Sequence, residues 1–323
     1  MRRICRKCRN RNCLYLNPNP IRYYDRYDKT TKTERVYGER WLRLAYDNPI
    51  GRLAVWLFVR RRLFSWYYGW RMNRRGSDML VYKFVVDYDV DVSEFAKSPF
   101  DFQTFNQFFY RALKPEARPI AQGSGVAVMP ADGRHLAFSD IDAAPGFYVK
   151  GATFELPELL GDEDLAKKFM HGSMLISRLC PSDYHRFHFP ASGIPAEARL
   201  IKGNLYSVSP IALRRNIRYI VLNKRFITLI DTPEFGSIAM IEVGATNVGS
   251  IVQSFIPGQA TNKGAEKGMF AFGGSCVITL FSEGRILFDS DILAQSAECI
   301  ETYARMGDRL GIATRLRGAP PGA

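Results

Sequence analysis

From about residue 125 onward the chain is a succession of short runs rich in β-branched residues, each closed by Gly, Pro, Asn or Asp. The runs are 126–129, 147–149, 174–176, 218–222, 226–230, 237–243 and 277–281. Branched side chains pack well on a pleated surface, and turn residues between such runs set the ends of strands. The pattern rules out a helical bundle for this part. It predicts a mainly antiparallel β body with short helices near 155–169 and 291–306.

The residues ahead of that body read differently. Trp41, Leu44 and Ala45 recur at helical spacing until Asn48-Pro49 breaks the pattern, and helical spacing resumes from Gly51 to about 75. A further helical stretch covers 79–113, with Phe102, Phe105, Phe108 and Phe109 as a core face and Ser98 or Asp101 as its cap. Residues 1–40 read as an irregular basic arm. The fold class is therefore α+β, in three regions: 1–40, 41–115 and a β-rich catalytic body at 116–323.

Charge follows the same division. Residues 1–75 hold 20 Lys and Arg against 5 Asp and Glu, a balance of +15 in a chain whose total is +13. The body is near neutral, which argues against a uniformly basic nucleic-acid-binding domain, and no base-reading motif accompanies the arm. In the helical region, Trp56, Trp66, Tyr67 and Tyr68 are interleaved with Arg60, Arg61 and Arg62. Aromatics at headgroup level beside arginines that meet anionic lipid are what a membrane-surface helix requires. Trp56, Arg60, Arg61, Arg62 and Trp66 are the expected membrane contacts; an ordinary helix packed on the body is the plainer reading. No stretch reaches the ~18 apolar residues of a membrane span. No secretory signal is expected; the seven Arg and Lys ahead of the first acidic residue, Asp25, are compatible with an organellar transit peptide, and the absence of Ser there speaks against one.

The six cysteines, at 5, 8, 13, 180, 276 and 299, do not form a disulfide framework. Cys5, Cys8 and Cys13 lack a fourth ligand for zinc, and His185-x-x-His188 lacks acidic or cysteine partners at ligand spacing, so no metal is expected.

Three stretches could carry chemistry. Met129-Pro130-Ala131-Asp132-Gly133 follows a strand, where Asp-Gly is ordinarily a turn. Asp183-Tyr184-His185-Arg186-Phe187-His188-Phe189-Pro190 puts two of the four histidines beside a turn. Gly273-Gly274-Ser275-Cys276 leads into a strand, with glycines leaving the backbone beside Ser275 unshielded. Each is weak alone. Together they supply Asp, His and Ser, the ingredients of nucleophilic catalysis.

At these positions the sequence resembles the phosphatidylserine decarboxylases. That family carries Pro-Ala-Asp-Gly, matched at 130–133, and Asp-Tyr-His-Arg-x-His-x-Pro, matched at 183–190. It cleaves itself at a Gly-Ser bond matched by Gly274-Ser275. Lys150-Gly151, Val243-Gly244-Ala245, Val248-Gly249-Ser250 and Gly264 to Gly268 agree as well, and the likeness covers roughly 20–310. Cys276, where the family has Thr or Ser, and the first 16 residues depart from it.

The resemblance implies a proenzyme. Asp132 would accept a hydrogen bond from His188, and His188 would take the proton of Ser275. The serine oxygen would attack the Gly274 carbonyl. Ester formation and β-elimination would then leave a β chain of 1–274 and a dehydroalanine at position 275, whose hydrolysis with loss of ammonia gives an α chain of 275–323 headed by a pyruvoyl group. That covalent cofactor would form a Schiff base with the substrate amine and accept the electrons released as CO2 leaves, giving phosphatidylethanolamine. His185 would assist substrate binding or protonation. The implied partners are phosphatidylserine, an anionic membrane and a second copy of the chain, and the implied location is the cytoplasmic face of the cell membrane. Three alternatives stand beside this. One is a pyruvoyl decarboxylase for another serine-headgroup lipid, such as an ether-linked, archaetidylserine-like one. Another is a non-catalytic peripheral membrane protein of the same fold. The last is a triad hydrolase, although no Gly-x-Ser-x-Gly elbow surrounds Ser275.

Overall fold

The computed structural model describes residues 20–59, 62–142, 154–246, 251–271, 273 and 275–314. Its centre is a sheet with ten strands among the described residues. Across the sheet run Thr30–Thr33, Arg22–Asp25, Glu301–Ala304, Gly133–Phe138, Ser173–Leu179, Ser275–Phe281, Gly236–Val243, Arg225–Thr232 and Ile194–Pro195. Arg199–Ile201 also pairs with Arg225–Thr232. All of these pairings are antiparallel except that of Arg22–Asp25 with Glu301–Ala304.

Both faces of the central strands are buried, because each alternates between two cores. Leu175, Leu179, Ile238, Met240, Val277 and Phe281 face one core, against Phe187 and Phe270 from a three-stranded sheet and the adjoining Phe189. That sheet consists of Ile251–Gln253, Glu266–Phe270 and Arg186–His188. Met174, Ile176, Ala239, Ile241, Cys276 and Ile278 face the other core, under the short helices Leu156–Leu160 and Pro210–Arg215. Ser275 therefore looks the way Val277 does, and Cys276 looks the opposite way. The departure at Cys276 is thus buried in the other core, and burial pushes its thiol up to about 12.

The predicted β body is present, with local corrections. Residues 219–222 form a helix rather than a strand, burying Ile220 and Val221. A four-residue apolar run carries no periodicity that separates the two. The helix expected at 291–306 ends at Ala297, Cys299 turns with φ 58°, and Glu301–Ala304 is a strand. The arm read as irregular carries the hairpin Arg22–Asp25 and Thr30–Thr33, docked on the sheet edge. The runs at 147–149, Lys150-Gly151 and 248–250 lie outside the described residues, as do Cys5, Cys8 and Cys13.

The helical region also forms. Glu39–Asp47 and Pro49–Ala54 meet at Asn48, whose side chain accepts from the Ile50 N–H and caps the second helix. Arg62–Met72 and Met79–Tyr88 follow. The stretch 79–113 is not one helix. Ser98 caps a single turn at Pro99–Asp101, and Thr104 caps Phe105–Phe109. Phe102, Phe105, Phe108 and Phe109 are core, as expected, packed with Phe84 and Phe95. No described helix is long and apolar enough to cross a membrane.

Candidate active site

The three motifs meet at one end of the central sheet. Asp132 immediately precedes the Gly133–Phe138 strand, and Ser275 opens the strand on the other side of Ser173–Leu179, paired with Leu179. The His185–His188 segment leaves the end of Ser173–Leu179 and enters the smaller sheet. There the His188 N–H donates to Pro130 O at 2.7 Å, which ties it to the Asp132 turn. Gly133 is required at that turn: a Cβ there would sit 2.5 Å from Arg178 O. Gly273, with φ 141°, turns the chain into the Ser275 strand in a conformation other residues avoid. Gly274 lies outside the described residues.

Ser275 is fully buried, and its hydroxyl has no hydrogen-bond partner among the described residues. A buried hydroxyl without a partner is costly; the hydroxyls of Thr228, Thr279 and Thr302 share that state, and Ser275 differs from them in standing in the Gly-Gly-Ser motif. His185 has the same character. Its Nδ1 lies 3.0 Å from Asp183 O, so the N–H sits there, and Nε2 is buried with no partner among the described residues. Phe109 packs against its ring at a tilt of 39°, with the centroids 3.9 Å apart. Burial pushes its pKa down to about 3, while the nearby Gly273 backbone opposes that shift without forming a hydrogen bond of ordinary geometry.

His188 is held in one tautomer, but not by the expected partner. Its Nδ1 lies 2.9 Å from Gly264 O, which fixes the proton there, and Nε2 accepts from the Tyr184 hydroxyl at 3.2 Å. Burial lowers its pKa, so the ring is neutral, with its Nε2 lone pair taken up by the Tyr184 hydroxyl. Asp132 instead accepts from Arg118 Nε at 2.9 Å and Nη2 at 2.6 Å, and from the Met306 N–H at 2.8 Å. The direct His188–Asp132 hydrogen bond expected from the sequence is thus replaced by two separate anchors. Asp132 still acts on His188 through its charge, which opposes the lowering by burial.

Behind the site lies a cage of buried ions that sequence reading missed. Arg178 bonds Glu301 at 2.9 and 2.6 Å and Glu34 at 3.1 and 2.6 Å. Arg134 donates to Asp183 at 2.7 Å, and Asp183 also accepts from the Cys180 N–H at 2.7 Å. Burial opposes the charge of both arginines, yet the carboxylates outweigh it and hold them well above the usual range. The cage fixes the 180–185 turn that presents His185. Arg134 and Arg178 lie inside strands that are buried throughout apart from the half-buried Phe138, a burial that the sequence alone does not mark.

A cavity of about 760 Å³ runs from the helical region to this site. Tyr37, Trp41, Tyr68 and Tyr88 line it on one side, and Arg178, Cys180 and Gly273 on the other. Of the expected membrane contacts, Trp56 is 51% and Trp66 66% exposed. Arg60, Arg61 and the side chain of Arg62 lie outside the described residues.

Ser275, enclosed and with no hydroxyl partner among the described residues, opens its strand at the sheet end where the Asp132 turn and the segment of the two neutral histidines also lie. Residues 105–312 match the family "Phosphatidylserine decarboxylase". A "Phosphatidylserine decarboxylase proenzyme" of Desulfitobacterium hafniense is 44% identical over 292 residues, covering 90% of this chain and 98% of the relative. Proenzymes of the same name from Chlamydia trachomatis (44%, 90% and 96%) and Fusobacterium nucleatum (42%, 92% and 99%) are similarly close. The chain belongs to the phosphatidylserine decarboxylase family.

Proposed function

We propose that the chain is a carboxy-lyase that converts phosphatidylserine to phosphatidylethanolamine and CO2, after cutting itself between Gly274 and Ser275. The observation that carries this is the buried, unpartnered Ser275 hydroxyl at the start of its strand, among the motifs the family shares.

In self-cleavage, His188 Nε2 takes the Ser275 proton. The Gly264 carbonyl keeps the other ring nitrogen protonated, so Nε2 is the basic one. The Tyr184 hydroxyl must leave Nε2 for this to happen, and it is then free to donate elsewhere. Asp132, fixed by Arg118, supplies negative charge that favours the imidazolium. The serine oxygen attacks the Gly274 carbonyl, with no side chain in the way. The residues present fit a pyruvoyl group at position 275: the site is enclosed, and no partner of the serine hydroxyl has to be displaced. That group supplies an electron-accepting carbonyl for loss of the substrate carboxylate. His185, whose Nε2 is unpartnered and near Gly273, binds the substrate headgroup or passes the proton to its α-carbon. A second assignment, with His185 as the base for Ser275, is favoured by that same Nε2 and its proximity to Gly273.

The lipid reaches the site through the cavity between the helices and Gly273. The exposed Trp41, Ile50, Leu53, Trp56, Trp66 and Tyr82 bed the helical region in the headgroup layer of an anionic membrane at its cytoplasmic face, and the basic N-terminal quarter adds attraction. The assembly is a homodimer of cleaved chains. Release of labelled CO2 from carboxyl-labelled phosphatidylserine in vesicles tests the activity. The native protein should release it and Ser275→Ala should not. No release from fully cleaved protein would reject the substrate, and an ether-linked serine lipid would be assayed in parallel.

A further inference from the structure

Beside the segment 97–112 lies a second cavity, of about 360 Å³, that shares no lining residue with the one reaching Gly273. Lys97, Asp101, Gln107, Tyr110, Arg111 and Arg186 line it. Its cations are unevenly compensated. Arg186 donates to Glu266 at 2.7 Å and to Tyr110 O at 3.0 Å. Lys97 has no hydrogen bond or ion pair among the described residues.

Arg111 is the exceptional group. It is 4% exposed, and only its Nη2 has acceptors, the carbonyls of Ser182 at 3.1 Å and Asp183 at 3.5 Å. Nε and Nη1 are buried and have no acceptor among the described residues. Other buried arginines are treated differently. Arg118, Arg134 and Arg178 contact carboxylates, and Arg225 gives all three nitrogens to carbonyls. The rings of Phe95 and Phe108, 4.8 and 5.0 Å from the guanidinium carbon, compensate it only in part. Burial with no carboxylate in contact pushes Arg111 down to about 10.

We infer that this cavity is a binding site for a phosphate-type oxyanion, with Arg111 and Lys97 as its cationic partners. A planar guanidinium with N–H groups still to give matches tetrahedral oxyanions; Nε and Nη1 are covered in the structure, so an oxyanion reaches them as the side chains over them move aside, and a neighbouring ammonium adds a point charge. The phosphate comes either from an anionic lipid headgroup or from free solution. The site bears on the reaction centre through one shared atom. The Asp183 carbonyl that Arg111 reaches also accepts from His185 Nδ1, so an anion on Arg111 tightens the turn that presents His185. None of this depends on self-cleavage.

The test is a thermal-unfolding titration of the full chain with inorganic phosphate at constant ionic strength. A parallel arm uses short-chain phosphatidylglycerol below its micellar concentration, and chloride serves as control. A saturable rise in Tm with phosphate alone assigns free anion, and one with the lipid assigns a headgroup. Lys97→Glu should weaken the apparent affinity at least tenfold, and Arg111→Met should abolish it. Because Arg111→Met also loosens the 182–183 turn, Lys97→Glu carries the decision if that variant does not fold. Hydrogen exchange in 180–188 should slow at saturation. Absence of saturation in both arms, equal affinity in Lys97→Glu, or protection confined elsewhere overturns the inference.

Discussion

Asp132 provides the sharpest test of how this site is built. If it served mainly as a hydrogen-bond partner of His188, Asp132→Asn would impair cleavage and leave the fold alone. The structure gives it to Arg118 instead, through contacts of 2.9, 3.1 and 2.6 Å between groups that are both at most 8% exposed. Removing one partner of a buried ion pair strands the other charge and costs about 3–5 kcal/mol. Arg118 keeps Glu94 at 2.9 Å, and Asn keeps one acceptor for the Met306 N–H, so the lower end applies, about 3 kcal/mol. In a chain of this size that corresponds to a fall in Tm of roughly 4–5 °C. The assay is urea unfolding in a Ser275→Ala background, which keeps every sample uncleaved. It compares Asp132→Asn, Arg118→Met and the double variant. The expected result is strong coupling, with the double variant about 2 kcal/mol more stable than the sum of the single losses. Additive losses, or a stable Asp132→Asn that cleaves slowly only because His188 has lost a partner, would refute the reasoning.

Other expectations follow from the same contacts. Lys267 and Glu242 form a fully buried pair at 2.9 Å that joins the strand after Gly264 to the sheet beside Ser275. Lys267→Met should cost about 3–5 kcal/mol in urea unfolding, and Lys267→Met with Glu242→Leu should recover most of it. Burial pushes His135 and His185 down to about 4 and 3, so the unfolded chain binds protons on them that the native chain refuses. Stability should therefore fall as pH drops below about 6.5, by roughly 2–3 kcal/mol per histidine at pH 4.5, and His185→Gln should show a shallower slope. Replacing Trp56 and Trp66 together by Ser should weaken sedimentation with anionic vesicles at least tenfold while leaving unfolding within about 0.5 kcal/mol, since both are more than half exposed. In a cleavage time course, His188→Asn should block splitting while His185→Asn still splits but releases no CO2; the reverse pattern would move the base to His185.

What could be read from the sequence divides along physical lines. Runs such as 237–243 and 226–230 declared themselves because branched residues recur over enough length to specify a strand. Residues 219–222 did not, since four apolar residues suit a buried helix equally well. The hairpin at 22–33 was hidden because its order comes from pairing with Glu301–Ala304 at the far end of the chain. Ser275, His185, His188 and Asp132 were legible as motif residues, and the fold gathers them at one sheet end. Their partners were not legible. Glu34 meets Arg178 across 144 positions, and no local pattern announces that. The Gly264 carbonyl that sets the His188 tautomer is backbone, so no side-chain motif encodes it.

The central claim is that Ser275 becomes the head of a new chain. Intact mass of the purified protein under denaturing conditions, with and without a carbonyl-reactive reagent, tests it most directly. The account predicts two chains, 1–274 and 275–323, with only the smaller gaining the mass of the reagent. A single full-length chain that stays whole on incubation and ignores the reagent would contradict it.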